Sequence, residues 1–123
     1  MGRYKGLTLR VLGRGAPAMG PGKADLIARI QDTGSISAAA RAMGMSYRRA
    51  WQLVEALNES YRERVILTSI GGQRGGGAKV TPFGRRLVIL YRAMEDKASA
   101  AIAADLKRFT ACLRSRPRRR ARR

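Results

Sequence analysis

Ser46, Tyr47, Arg48, Arg49 and Gln52 gather, in under two helical turns, the side chains suited to reading a nucleic-acid base edge. A guanidinium grips guanine, and a carboxamide grips adenine, through two parallel hydrogen bonds. At least one of Arg48, Arg49 and Gln52 is therefore expected to read a base. The alternative for the arginines is contact with phosphate alone. Nothing comparable exists for covalent or proton-transfer chemistry. Histidine is absent, which removes the imidazole base and the usual nitrogen ligand of metals. The single cysteine, Cys112, cannot clamp zinc or close an internal disulfide. The acids Asp25, Asp32, Glu55, Glu59, Glu63, Glu95, Asp96 and Asp105 are scattered, and none forms a pair placed for general acid–base work. Glu95 and Asp96 read as a solvated helix face. A binder rather than an enzyme follows, with no cofactor, metal or small-molecule site expected.

The charge points to the class of partner. The chain has 123 residues, enough for one domain, and a formal charge of +18 from 26 Lys and Arg against 8 Asp and Glu. Seven arginines lie after residue 113, and +11 remains without them. A field of that sign draws phosphate polymers or anionic surfaces but gives no specificity. No stretch approaches the roughly 18 apolar residues of a membrane span, and no apolar leader follows the start. The expected location is the cytoplasm, with the nucleoid.

The elements that must position the polar cluster can be read from spacing. Ile36, Ala39, Ala40 and Met43 recur at helical intervals, Gly44 interrupts, and Ala50, Leu53, Val54 and Leu57 resume after Ser46. Two short helices joined by a tight turn result, with small residues where they cross. That is the plan of a helix-turn-helix, whose second helix enters the major groove by its N-terminal end. On that helix Arg48, Gln52, Glu55 and Glu59 oppose the apolar face. Trp51 and Tyr47 flank the apolar face and suit helix packing better than base stacking. Ser35 is placed to cap the first helix of the pair, and Ser37 keeps hydrogen-bonding capacity for a phosphate. From Ser46 to Glu59 two arginines balance two glutamates, so this helix should supply specificity while affinity comes from elsewhere.

Around this unit, Tyr4–Leu12 alternates as a half-buried strand whose partner is expected later in the chain. Residues 13–22, rich in glycine and proline, read as a connector, and Lys23–Thr33 as a bracing helix opened by Pro21. Val65–Ile70 and Ala78–Thr81 read as an antiparallel pair enclosing the glycine-rich loop Gly71–Ala78, with Arg74 near its tip and Lys79 on the returning strand. The loop lacks the Lys-Ser/Thr sequence and following helix of a nucleotide-binding loop. A hairpin after a helix-turn-helix is a wing, and Arg74 would reach phosphate or minor groove. Thr81-Pro82 opens a helix with no later breaker before Pro117. Leu87, Tyr91, Met94, Ala98, Ile102, Leu106, Phe109 and Leu113 mark a stripe along it, expected to pair with its copy as a coiled coil. The alternative is a break near Ser99–Ala104. The fold expected is mainly α with a small β-wing: a winged helix-turn-helix over residues 1–113, including a long dimerisation helix over about 81–113. Residues 114–123 are expected to be a disordered arginine-rich tail.

The strings Gly34–Ala40, Met45–Trp51, Asn58, Thr68–Gly72, Gly75–Ala78 and Thr81–Gly84 together resemble the N-terminal winged-helix domain of the molybdate-dependent transcriptional regulator (ModE) family, itself akin to LysR-type DNA-binding domains. The resemblance spans about residues 5–95. It implies a homodimer on a palindromic DNA site, paired through the long helix and the N-terminal strand region. Members of that family carry C-terminal oxyanion-binding domains for which this chain is expected to have no room, so molybdate binding is not carried over. The function expected is sequence-specific binding of double-stranded DNA as a homodimeric regulator. Its rivals are an architectural, largely nonspecific DNA binder and an adaptor for a protein or anionic surface.

Overall fold

The computed structural model describes residues 6–69 and 77–115. The start of the expected Tyr4–Leu12 strand, Arg74, expected near the wing tip, and most of the arginine tail lie outside them. In chain order come β1 (Val11–Leu12), β2 (Pro17–Met19), α1 (Pro21–Thr33), α2 (Ile36–Ala42), α3 (Tyr47–Ser60), β3 (Ile66–Ser69), β4 (Gly77–Val80), α4 (Pro82–Ala101) and α5 (Ala103–Thr110).

Helices α1, α2 and α3 enclose the core, and the β3–β4 hairpin and α4 close it. Leu26, Ile27 and Ile30 of α1 and Leu57 of α3 are fully buried, each removal from water being worth about 1.5–3 kcal/mol. Pro21 begins α1, where its missing N–H costs nothing. Ala39, Ala40 and Ala50 meet in the core, which lets α2 and α3 approach closely. Between these helices the turn has a defined hydrogen-bond pattern. The Met45 N–H reaches the Ala40 carbonyl at 3.0 Å and the Gly44 N–H reaches that of Arg41 at 3.2 Å. This Schellman cap needs a left-handed residue, supplied by Gly44 at φ 67°.

The hairpin is antiparallel, with Ile66 opposite Val80, Leu67 opposite Lys79 and Ser69 opposite Gly77. Two connections fix it to the helices. The Ala78 N–H donates to the Gly34 carbonyl at 2.9 Å, joining β4 to the end of α1. The Asn58 side chain on α3 accepts from the Val65 and Ile66 N–H groups at 2.8 and 3.0 Å and donates to the Ile66 carbonyl at 3.0 Å. Thr81 then caps α4, its hydroxyl accepting from the Gly84 N–H at 2.9 Å and donating to the Arg64 carbonyl at 2.7 Å. A Cβ on Gly84 would lie 2.6 Å from the Val65 carbonyl oxygen. Close approach of α4 to the strand thus requires a glycine there.

Three sequence expectations need correction. The N-terminal strand is only Val11–Leu12 among the described residues, and its partner is Pro17–Met19, within the stretch taken as a connector. A two-residue bridge is too short to leave a clear alternation. The long helix does not run unbroken to residue 113. Ile102, at φ −108° and ψ 12°, ends α4 before α5 resumes, inside the Ser99–Ala104 window weighed as a break. The apolar stripe does not all face outward, for Tyr91 is buried at 2% exposure. Its hydroxyl donates to the Leu9 carbonyl at 2.6 Å. Gly6 lies against Leu106, where an added Cβ would come within 3.3 Å of a methyl. The N-terminal segment therefore covers part of the stripe. The apolar side chains α4 leaves in solvent are instead Ile89 and Leu90, with Met94 partly covered.

Candidate nucleic-acid interface

Ser46 sits at the N-cap of α3, its hydroxyl accepting from the Arg49 N–H at 3.0 Å. That bond satisfies one of the free amides of the first turn and sets the direction in which the next residues leave the fold. Buried Ala50, Val54 and Leu57 hold one side of the helix to the core. Arg48, Gln52, Glu55 and Glu59 are consequently exposed on the other, with Arg49 exposed at its edge. Basic and amide groups thus occupy the N-terminal half of the outward face and carboxylates the C-terminal half. An exposed guanidinium and carboxamide one helical turn apart can address neighbouring base pairs. The glutamates stand where they would not meet phosphates approaching the N-terminal end.

Tyr47 is 56% exposed and stacks on Trp51, ring centroids 6.5 Å apart and planes within 9°. Trp51 in turn packs on the core. This pair braces the first turn of α3 and leaves the Tyr47 ring edge in solvent. Ser35 caps α2, accepting from the Ala38 N–H at 3.1 Å, and its Oγ lies 3.1 Å from that of Ser37. The two hydroxyls therefore share a hydrogen bond, and Ser37 has less free capacity than its sequence position implies. Lys79 is exposed on β4, with its hairpin fastened to α3 by Asn58. Arg74 lies outside the described residues. The structure brings Ser46, Tyr47, Arg48, Arg49 and Gln52 to one helix end, places Ser35 and Ser37 at the start of α2, and puts Lys79 on the separate hairpin.

Sequence reasoning missed two positively charged neighbours. Lys23, on the first turn of α1, donates to the Pro17 carbonyl at 2.8 Å. Burial, then the nearby charges of Arg49 and Arg10, hold its ammonium below the ordinary lysine range. Arg10, just before β1, and Lys23, on α1 after β2, come beside Arg49 once β1 pairs with β2, and that pairing carries no sequence signal. The hydrogen bonds of Asn58 were equally hidden, although an amide on the flank of an apolar helix face is a signal to look for one. Among the described residues no three His, Cys, Asp or Glu side chains gather as a metal site would require, and no helix is long and apolar enough to cross a membrane.

Residues 24–85 match the bacterial regulatory helix-turn-helix proteins of the lysR family. The match runs from α1 through the hairpin to the first turn of α4, the segment built around α3. Among similar proteins, the molybdenum-pterin-binding protein MopB of Rhodobacter capsulatus is 42% identical over 107 residues, covering 87% of this chain and 38% of that protein. The molybdenum transport protein ModE of Azotobacter vinelandii is 36% identical over 63% of this chain and 28% of its own length. The DNA-binding transcriptional dual regulator ModE of Escherichia coli K12 is 37% identical over 58% of this chain and 27% of its own. The chain thus spans little more than a third of the length of these relatives at most.

Proposed function

The chain belongs to the bacterial regulatory helix-turn-helix proteins of the lysR family, and from that premise we propose that it reads double-stranded DNA sequence-specifically as a homodimer. Membership carries the broader statement, that it is a DNA-binding regulator of transcription and not an enzyme. The observation that supports the finer reading is the outward face of α3. Arg48 and Gln52 are exposed just beyond a capped helix start, in the position from which such helices enter the major groove. Arg48, Arg49 and Gln52 are the proposed base and edge contacts, with Ser46 and Tyr47 orienting that turn. Ser35 and Ser37 present the start of α2 to the backbone, and Lys79 and Arg74 make the wing contact.

The proposed pairing face lies on α4. Tyr61, Phe83, Leu87, Ile89 and Leu90 line an apolar groove of about 750 Å³ edged by Arg62 and Arg86. Phe83 is gripped by Tyr61 edge-on at 6.2 Å and overlaid by both arginines at 5.6 and 5.9 Å. An apolar floor beside exposed Ile89 and Leu90 suits a second copy of the same helix. Two-fold pairing would set two half-sites about 10–10.5 base pairs apart, or a multiple of that. The similarity to a molybdenum-pterin-binding protein and a molybdenum transport protein supports a place for molybdenum-related genes among the targets. Molybdenum binding itself is not proposed for this chain.

Sequencing the chromosomal fragments bound by the full chain tests the reading. A limited set sharing a two-fold-symmetric element is expected, and the Arg48→Ala, Arg49→Ala double variant should lose that enrichment. Recovery of the same set by the double variant would show that α3 is not the reader.

A further inference from the structure

Arg10, Lys23 and Arg49 come from three separate stretches of chain and line one cleft of about 270 Å³. Its remaining walls include Gly22, Met45 and Leu53, and no acidic side chain is among the described residues lining it. A Cβ on Gly22 would meet no heavy atom within 4 Å, so the cleft is open on that side. Lys23 spends one of its three N–H donors on the Pro17 carbonyl and has two left. Convergence of three cations without a counter-charge raises the free energy of the fold, because each repels the others. A bound anion would offset that repulsion. The cleft also lies immediately beside the proposed base-reading residues, since Arg49 follows Arg48 on the first turn of α3. A helix in the major groove is bordered by sugar-phosphate backbone, and a cationic recess on its edge meets a phosphodiester first.

We propose that the cleft formed by Arg10, Lys23 and Arg49 seats one backbone phosphate of the bound duplex. Arg49 then clamps the backbone, and base readout falls to Arg48 and Gln52. This rests on the DNA-binding reading above. The phosphate fixes the register of α3 in the groove and adds affinity that is blind to sequence.

The test uses the full chain and three variants: Lys23→Gln, Arg10→Gln and, as a charge control on α4 outside the cleft, Lys97→Gln. Dissociation constants for a selected and a random duplex are measured across a salt series. In parallel, the Gly22 and Lys23 amide resonances are followed while inorganic phosphate is added without DNA. Each cleft variant should weaken both duplexes by the same factor, about three- to tenfold near physiological salt, and leave their ratio unchanged. Each should also reduce the log–log salt slope by about one, as loss of a single phosphate contact requires. Lys97→Gln should change the slope by less than half as much. Cleft variants matching Lys97→Gln, or altering the ratio between duplexes, would overturn the proposal. So would saturation of the amide shifts by inorganic phosphate below about 1 mM with duplex slopes unmoved, which would mark a pocket for a free oxyanion. Failure of the unmodified chain to bind any duplex would overturn the DNA-binding reading and this proposal together, whereas the preceding outcomes overturn the cleft alone.

Discussion

Helices α3 and α4 each bury one face on the same core, yet they turn opposite chemistry to solvent. Helix α3 exposes Arg48, Gln52, Glu55 and Glu59, while α4 exposes Ile89 and Leu90 at 69% and 60%. The polar face remains hydrated until a partner offers matching donors and acceptors. Exposed aliphatic side chains carry a standing cost that burial against another apolar surface removes. On the proposed reading α3 meets a polar, patterned partner and α4 an apolar one, and the connections between them would make the two functions dependent. Asn58 ties α3 to the start of β3, and Thr81 and Gly84 tie Arg64 and Val65, just before β3, to α4. Pairing through α4 would thereby fix the separation of two α3 helices.

The sharpest way to break this comparison is to make the outward face of α4 polar. Ile89→Asp combined with Leu90→Asp should leave the fold intact, because both side chains are in solvent. Sedimentation should show a monomer, and affinity for a duplex with two half-sites should fall about 100-fold or more through loss of avidity. A variant that stays dimeric with unchanged affinity would remove α4 as the pairing face. On the other helix, Arg48→Ala should cost about 1–3 kcal/mol on the preferred duplex and relax preference at one base position. An equal loss on all sequences would reduce Arg48 to a phosphate contact.

Gly84→Ala probes the link between the two helices. A helix interior ordinarily favours alanine by about 1 kcal/mol, but the added Cβ would face the Val65 carbonyl oxygen at 2.6 Å. Overpacking should win, with a net loss of about 1–2 kcal/mol and a fall of several degrees in Tm. A stability gain would show that α4 and β3 are not held together as described. At neutral pH the smallest effect is that of Tyr91, whose hydroxyl is pushed up to about 12, first by burial and then by Glu95. The unfolded phenol ionises near 10. Stability from this group is therefore complete below about pH 10 and lost as pH rises toward 12, by roughly 1–3 kcal/mol. Tyr91→Phe should forfeit the bond to Leu9, costing about 1 kcal/mol at neutral pH. It should also decline less steeply than the unmodified chain between pH 10 and 12 in urea unfolding. Parallel curves would place the Tyr91 hydroxyl in water.

Local chemistry made much of α3 legible in the sequence. Ser46 and Ser35 announce helix starts, Gly44 the turn, and the spacing of Ala50, Val54 and Leu57 the buried face, because each depends on residues within a few positions. Helix α4 was only half legible. The stripe from Leu87 to Leu113, which runs over α4, α5 and beyond, has helical period, but periodicity does not say whether Tyr91 faces a copy of the chain or its own Leu9, 82 positions away. The interruption at Ile102 has no proline or glycine to signal it. The Arg10–Lys23–Arg49 cleft was invisible for the same reason as the Tyr91 contact, since the three residues meet only after β1 pairs with β2. What was missed depends on chain returning from a distance, and what was read depends on neighbours.

The central claim is that α3 supplies specificity while the surrounding positive charge supplies affinity, and one competition experiment tests it directly. The full chain is bound to a duplex selected from its chromosomal fragments and to a random duplex of equal length, from low to physiological salt. The account predicts that both affinities fall steeply with salt while the selected duplex stays at least about 10³-fold tighter near physiological salt. A ratio near one at every salt concentration would contradict it, leaving a basic protein that binds DNA without reading it.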